Sequence, residues 1–113
     1  MSGLEWVVDA SGCDPAALAD LERLQRLFAR LIEDLGLHPV RETLWHQFAG
    51  AGGITGLCLL AESHLACHTF PEHGSLCLNL FCCRRRPEWP FAVQLKREFG
   101  AAEVRVRRLE RTY

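Results

Sequence analysis

The sequence is short of several things that would place it quickly. No apolar run approaches the ~18–20 residues a helix needs to span a bilayer. The opening Met1-Ser2-Gly3-Leu4-Glu5 lacks the basic-then-apolar order of a secretory signal. Together these set the expectation of a soluble, cytoplasmic protein that does not enter membranes. No Cys-x-x-Cys pair occurs, no internal repeat stands out, and glycine (9) and proline (5) are at ordinary levels. Zinc ribbons, solenoids, collagen-like repeats and disordered tracts are thereby disfavoured. Net charge is also nearly absent, at −1, and the pI near 6.5 argues against a nucleic-acid partner.

What is present fits one compact domain, residues 1–113, of which 49% are hydrophobic. The near-zero charge conceals an asymmetry. Residues 1–62 carry nine acids and four arginines, whereas residues 63–113 carry five acids and nine Lys plus Arg. Six cysteines (Cys13, Cys58, Cys67, Cys77, Cys82 and Cys83) are many for a cytosolic chain of this length.

The apolar patterning predicts the order β-α-β-β-β-β-α-β. Leu4–Ala10 is short and β-branched, which suits a strand. Asp14-Pro15 supplies a cap and a proline at the first helical position, and leucines at helical spacing extend a predicted helix over 15–35 until Gly36. Strands are expected at Val40–Phe48, Ile54–Leu60, Leu65–Phe70 and around Leu76–Phe81, with a loop at Ala49–Gly53 and a turn at Pro71–Gly74. A second helix is expected over Pro87–Phe99, and a solvated outer strand over Glu103–Arg111. The expected fold class is therefore α+β: an antiparallel β-sheet with two helices packed on one face. Such a two-layer sandwich leaves its other sheet face half exposed. That argues for a homodimer, which would make a multilayer α/β sandwich.

Residues 53–83 hold most of the chemically unusual side chains, including Thr55, Glu62, Ser63, His64, Cys67, His68, Glu72, Cys82 and Cys83. Ser, His, Cys and Glu in one short stretch suggest a nucleophile with acid/base groups nearby. A zinc site from His64, Cys67, His68 and Cys82-Cys83 is a weaker alternative, because adjacent cysteines on a strand point to opposite faces. No metal is therefore expected. Cys58 and Cys77 read as small packing residues.

The same residues resemble a known family. Gly53-Ile54-Thr55-Gly56, then Leu60-Ala61-Glu62-Ser63-His64, then His68-Thr69-Phe70-Pro71-Glu72, then Phe81-Cys82-Cys83, are similar to the prokaryotic S-adenosylmethionine decarboxylase proenzymes. Gly12-Cys13-Asp14 and Pro87-Glu88-Trp89 extend the resemblance over nearly the whole chain. It implies self-cleavage between Glu62 and Ser63 into 1–62 and 63–113, the second piece capped by a pyruvoyl group made from Ser63. In family terms Thr55 assists the acyl shift and His68 removes the Ser63 Cα proton. The pyruvoyl group then forms a Schiff base with an amino-acid-type substrate, and Cys83 returns a proton to it.

Five departures bear on the substrate, one of them Arg84 where the family has glycine after the cysteine. The family's tryptophan after His-Thr is Phe70, and its aromatic residue before the glycine loop is displaced by one position to Phe48. The early histidine is Glu5, and the family's aspartate two residues before Phe81 is Asn79. Glu72 is kept as a candidate substrate contact. The resemblance implies decarboxylation of S-adenosylmethionine for spermidine synthesis. A missing stacking ring and a new carboxylate would instead suit ornithine or arginine, and a catalytically dead partner of an active paralogue is a third reading.

Overall fold

A computed structural model describes all of residues 1–113. The chain runs β1 (Ser2–Ser11), α1 (Pro15–Leu18), α2 (Leu21–Asp34), β2 (Leu44–Gln47), β3 (Ile54–Leu60), β4 (Ser63–Phe70), a 3-10 turn (Pro71–His73), β5 (Ser75–Cys82), α3 (Phe91–Phe99) and β6 (Glu103–Thr112). The six strands form one antiparallel sheet in the order β2-β3-β4-β5-β1-β6. β1 is an inner strand, paired with β5 on one side and with the edge strand β6 on the other.

Alternation along each strand separates two faces. Leu4, Trp6, Val8 and Ala10 of β1 are buried, as are Leu76, Leu78, Leu80 and Cys82 of β5, beneath the apolar sides of the helices. Leu24, Leu27, Phe28 and Leu31 of α2, with Leu95 and Phe99 of α3, close this single core. Two buried tryptophans keep their indole N–H groups satisfied: Trp6 donates to Glu88 and Trp89 to Asp34. The opposite face carries no helix. It displays Leu57 and Leu59 half exposed, beside His64, His68 and Phe70.

Three expectations from the sequence are corrected in their limits. The helix over 15–35 is two helices, because Asp20 leaves the helical backbone (φ −94°, ψ 99°) and caps a new start by accepting from the Arg23 N–H at 3.3 Å. The 87–99 helix begins only at Phe91, since Pro90 disfavours helical backbone at the residue before it. The strand over 40–48 shortens to Leu44–Gln47, an edge element paired on one side only. Its Trp45 packs against Phe28 and lies over Gly56, where any side chain would strike the indole ring.

Candidate active site

β3 and β4 form a hairpin in which Leu60 pairs with Ser63, leaving Ala61 and Glu62 as the turn. The bond between Glu62 and Ser63 therefore sits where a turn becomes a strand. The Glu62 carbonyl accepts a hydrogen bond from the Cys83 backbone N–H at 2.8 Å. Cys83 is itself fixed from the other side, since the Tyr113 hydroxyl donates to its carbonyl at 2.8 Å. A carbonyl polarised by a fixed N–H is prepared for attack, because developing negative charge on its oxygen meets a donor already in place.

Ser63 lies opposite Cys82 in the register, and its parity with Leu65 and Cys67 turns its side chain towards the helix layer. Burial pushes the Cys82 thiol above the ordinary cysteine range; the Arg86 charge opposes this, Cys83 adds to it, and hydrogen bonding by Ser63 lowers it. Cys82 is thus a protonated thiol beside Ser63 at neutral pH. The Arg84 guanidinium pairs with the Glu62 carboxylate at 2.6 Å.

A second group forms towards the other end of β4. Thr55 Oγ1 and His68 Nδ1 lie 3.0 Å apart across the β3–β4 pair. They line a cavity of about 370 Å³ together with Phe48, Phe70 and Glu72. Phe48 is held at the base of its loop by an edge-on contact with His46 and by its N–H on the Gly53 carbonyl. Phe48, displaced by one position in the sequence, and Phe70, which stands at the family's tryptophan position, therefore share one cavity. Beneath it, Thr69 is the one buried polar residue; its hydroxyl donates to the Leu18 carbonyl at 2.8 Å and accepts from the Ile54 N–H at 2.9 Å.

The expected site residues thus fall into two clusters rather than one. Ser63 and His68 are five residues apart on one strand, so they point to opposite faces and are separated by about 17 Å at the usual rise. Within one chain the His68 imidazole does not reach the Ser63 Cα. Glu5 lies nearer the Ser63 end, opposite Phe81 in the register. Its carboxylate pairs with Arg111 and accepts from Asn79 Nδ2 at 2.5 Å. The ring of Phe81 stacks on His64, 5.4 Å between centroids, and Arg111 lies 5.6 Å from the Phe81 centroid. No three of the His, Cys, Asp and Glu side chains converge as a metal site would require. No helix is long and apolar enough to cross a membrane.

Sequence reasoning gave no role to Thr69, Tyr113 or Arg86, and it named Arg84 only as a departure from the family's glycine. Thr69 was hidden inside a strand pattern, and the others act on the site through long-range pairings that no local spacing reveals.

Residues 4–112 match the family model described as S-adenosylmethionine decarboxylase. Two similar curated proteins are S-adenosylmethionine decarboxylase proenzymes. That of Thermococcus gammatolerans is 31% identical over 110 residues, covering 96% of this chain and 76% of its own. That of Pyrococcus furiosus is 31% identical over 110 residues, covering 96% and 78%. The crystal structure of the adenosylmethionine decarboxylase of Aquifex aeolicus superposes with a TM-score of 0.80 at 23% identity, covering 98% of this chain and 91% of that one, and so shares the fold.

Proposed function

The chain belongs to the S-adenosylmethionine decarboxylase family of pyruvoyl-dependent proenzymes, and from that premise we propose how its own residues divide the work. The bond cut is Glu62–Ser63, the substrate is S-adenosylmethionine, and the working unit is a homodimer. The observation that carries this reading is the Glu62 carbonyl at the hairpin turn, held at 2.8 Å by the Cys83 N–H and followed directly by a serine.

The residues present suit the prosthetic group. Ser63 supplies the hydroxyl that attacks the preceding carbonyl, and the Cys83 N–H steadies the oxygen as the carbonyl becomes tetrahedral. Collapse breaks the Glu62–Ser63 C–N bond and leaves an ester. Removal of the Ser63 Cα proton then expels the Glu62 carboxylate, and water releases ammonia. Once formed, the pyruvoyl group supplies an electron sink for decarboxylation. Cys83 supplies the proton that the substrate carbon must regain, within reach of residue 63.

Thr55, His68, Phe48, Phe70 and Glu72 complete the site from the partner chain. An antiparallel dimer through the helix-free sheet face brings one protomer's Ser63 end towards the other's His68 end, and covers Leu57 and Leu59. Phe48 and Phe70 then provide the two rings that an adenine stacks between. This favours S-adenosylmethionine over ornithine or arginine. The carboxylate that suggested a smaller cationic substrate, Glu5, is already engaged by the chain's own Arg111.

Intact mass of the purified protein tests the processing, with fragments 1–62 and pyruvoyl-capped 63–113 expected. Release of CO₂ from S-adenosylmethionine, ornithine and arginine in parallel tests the substrate. Turnover of ornithine or arginine alone would overturn this assignment, and an uncut, inert chain would leave the dead-partner reading.

A further inference from the structure

A cavity of about 290 Å³ opens directly beneath the cut bond, on the helix side of the sheet. It is lined by Ala61, Glu62 and Ser63 on the hairpin, by Leu37 and His38 after α2, and by Arg84 and Arg86 after β5. The family pattern places glycine where this chain has Arg84, so this basic lining departs from it. Arg84 uses its Nε on the Glu62 side chain, and Arg86 uses Nη1 on the Leu35 carbonyl at the end of α2. Each guanidinium has five N–H donors and so keeps further ones for a ligand. The His38 carbonyl accepts from the Ala61 N–H at 2.8 Å, which ties the segment after α2 to the hairpin turn.

We propose that this cavity receives the carboxylate that self-cleavage creates on Glu62, with Arg84 and Arg86 as its positioning residues. The inference rests on the processing reading above and deepens it. In the second stage of cleavage the Ser63 Cα–H bond gives up its proton and the Cβ–Oγ bond breaks, with both oxygens of the former ester departing on the Glu62 carbon. The dehydroalanine left behind takes up water and loses ammonia to give the ketone. Negative charge therefore grows on the Glu62 terminus during elimination, at the cavity that Arg84 and Arg86 line. Planar guanidinium donors match a carboxylate with two parallel hydrogen bonds. Exposed as it is, the existing Arg84–Glu62 side-chain pair contributes little to stability. Its consequence is positional: it holds Arg84 at the turn before the second carboxylate exists. After the cut, the same cavity keeps the new terminus on the helix side, away from the face that meets substrate.

The test follows processing of the full chain in wild type, Arg84→Gly, Arg84→Lys and Arg84→Gly/Arg86→Gln. Intact mass is recorded over time, with and without hydroxylamine, which traps the ester by cleaving it to a Glu62 hydroxamate and an uncapped Ser63. Elimination should slow by about tenfold in Arg84→Gly and more in the double variant, the low end of what losing a hydrogen bond to a charged group costs, as suits an exposed donor. The trapped ester fraction should rise correspondingly, and Arg84→Lys should recover part of the rate. A purely structural role would slow both stages without accumulating ester. Wild-type elimination rates in both glycine-bearing variants would overturn the inference, as would normal processing with only KM raised, which would make the cavity a substrate site. A wild-type chain that never cuts would overturn the processing reading and this inference with it.

Discussion

Ser63, Cys82 and Cys83 sit together, so which thiol serves catalysis is decided by a single residue of register. Cys82 faces Ser63 directly, is buried, and holds its proton because burial raises its pKa. Cys83 is half-buried at the strand end, with its N–H committed to the Glu62 carbonyl. The backbone contact survives replacement of either side chain. Cys83→Ala should therefore still cut at Glu62–Ser63 yet lose most turnover, read as fragment masses alongside CO₂ release. Cys82→Ala should cut and retain most activity; the opposite pattern would move the proton donor to Cys82. Cys67 tests the electrostatics of the same sheet without touching the chemistry. Burial pushes its thiol from 9.0 to about 12, so between those values the folded chain holds a proton that the unfolded chain has lost. Stability contributed by this group is complete below pH 9 and falls as pH rises towards 12. Denaturant midpoints measured across that interval should fall less steeply in Cys67→Ala than in wild type.

At the scale of elements, Thr69 joins three segments through one hydroxyl: α1 through the Leu18 carbonyl, the start of β3 through the Ile54 N–H, and its own strand β4. Thr69→Val keeps the volume but leaves both buried partners unsatisfied. A loss of about 1–3 kcal/mol in denaturant unfolding is expected, with Thr69→Ser close to wild type. Because β3 and β4 also carry Thr55 and His68, the same substitution should loosen their 3.0 Å contact and slow fragment formation, the step to which the proposed roles assign both residues. This junction also marks what the sequence could and could not reveal. The alternation of β3 and β5 and the glycine stop after α2 follow from local spacing and were legible. The break at Asp20 was not, because both helices lay their leucines on one sheet and so preserve a single apolar period across it. The delayed start of α3 had a local signal in Pro90 that apolar spacing masked. At the site, the motif residues could be named in advance. Their separation into two clusters follows from strand parity, which already placed Ser63 and His68 on opposite faces. The pairing of Glu5 with Arg111, 106 residues away, is set by the β1–β6 register and has no local trace.

At the scale of the whole molecule, one chain holds both halves of the machinery but cannot bring them together. Ser63 lies near one end of β4 and His68 near the other, about 17 Å apart and on opposite faces. The sheet face without helices offers an isologous contact, in which a twofold axis reverses β4 of one copy against β4 of the next. In the proposed dimer this contact closes the separation along the strand, so that each of two composite sites would take the turn carrying residue 63 from one chain and residue 68 from the other. This arrangement makes a prediction that no single-chain site could satisfy. Ser63→Ala has no hydroxyl to form the ester, and His68→Ala lacks the group proposed to remove the Ser63 Cα proton, so the first should stay an intact amide, the second should stop at the ester, and both should be inactive. Co-expressed with distinguishable tags, they form mixed dimers in which the intact Ser63 of the His68→Ala chain meets the intact His68 of the Ser63→Ala chain. The His68→Ala chain should then be cut, and only in mixed dimers isolated through both tags. About half of the wild-type activity per dimer should return, because one of the two sites regains every group while the other lacks both. If the tagged mixed dimer shows an uncut His68→Ala chain, the two halves of the site do not meet across this interface.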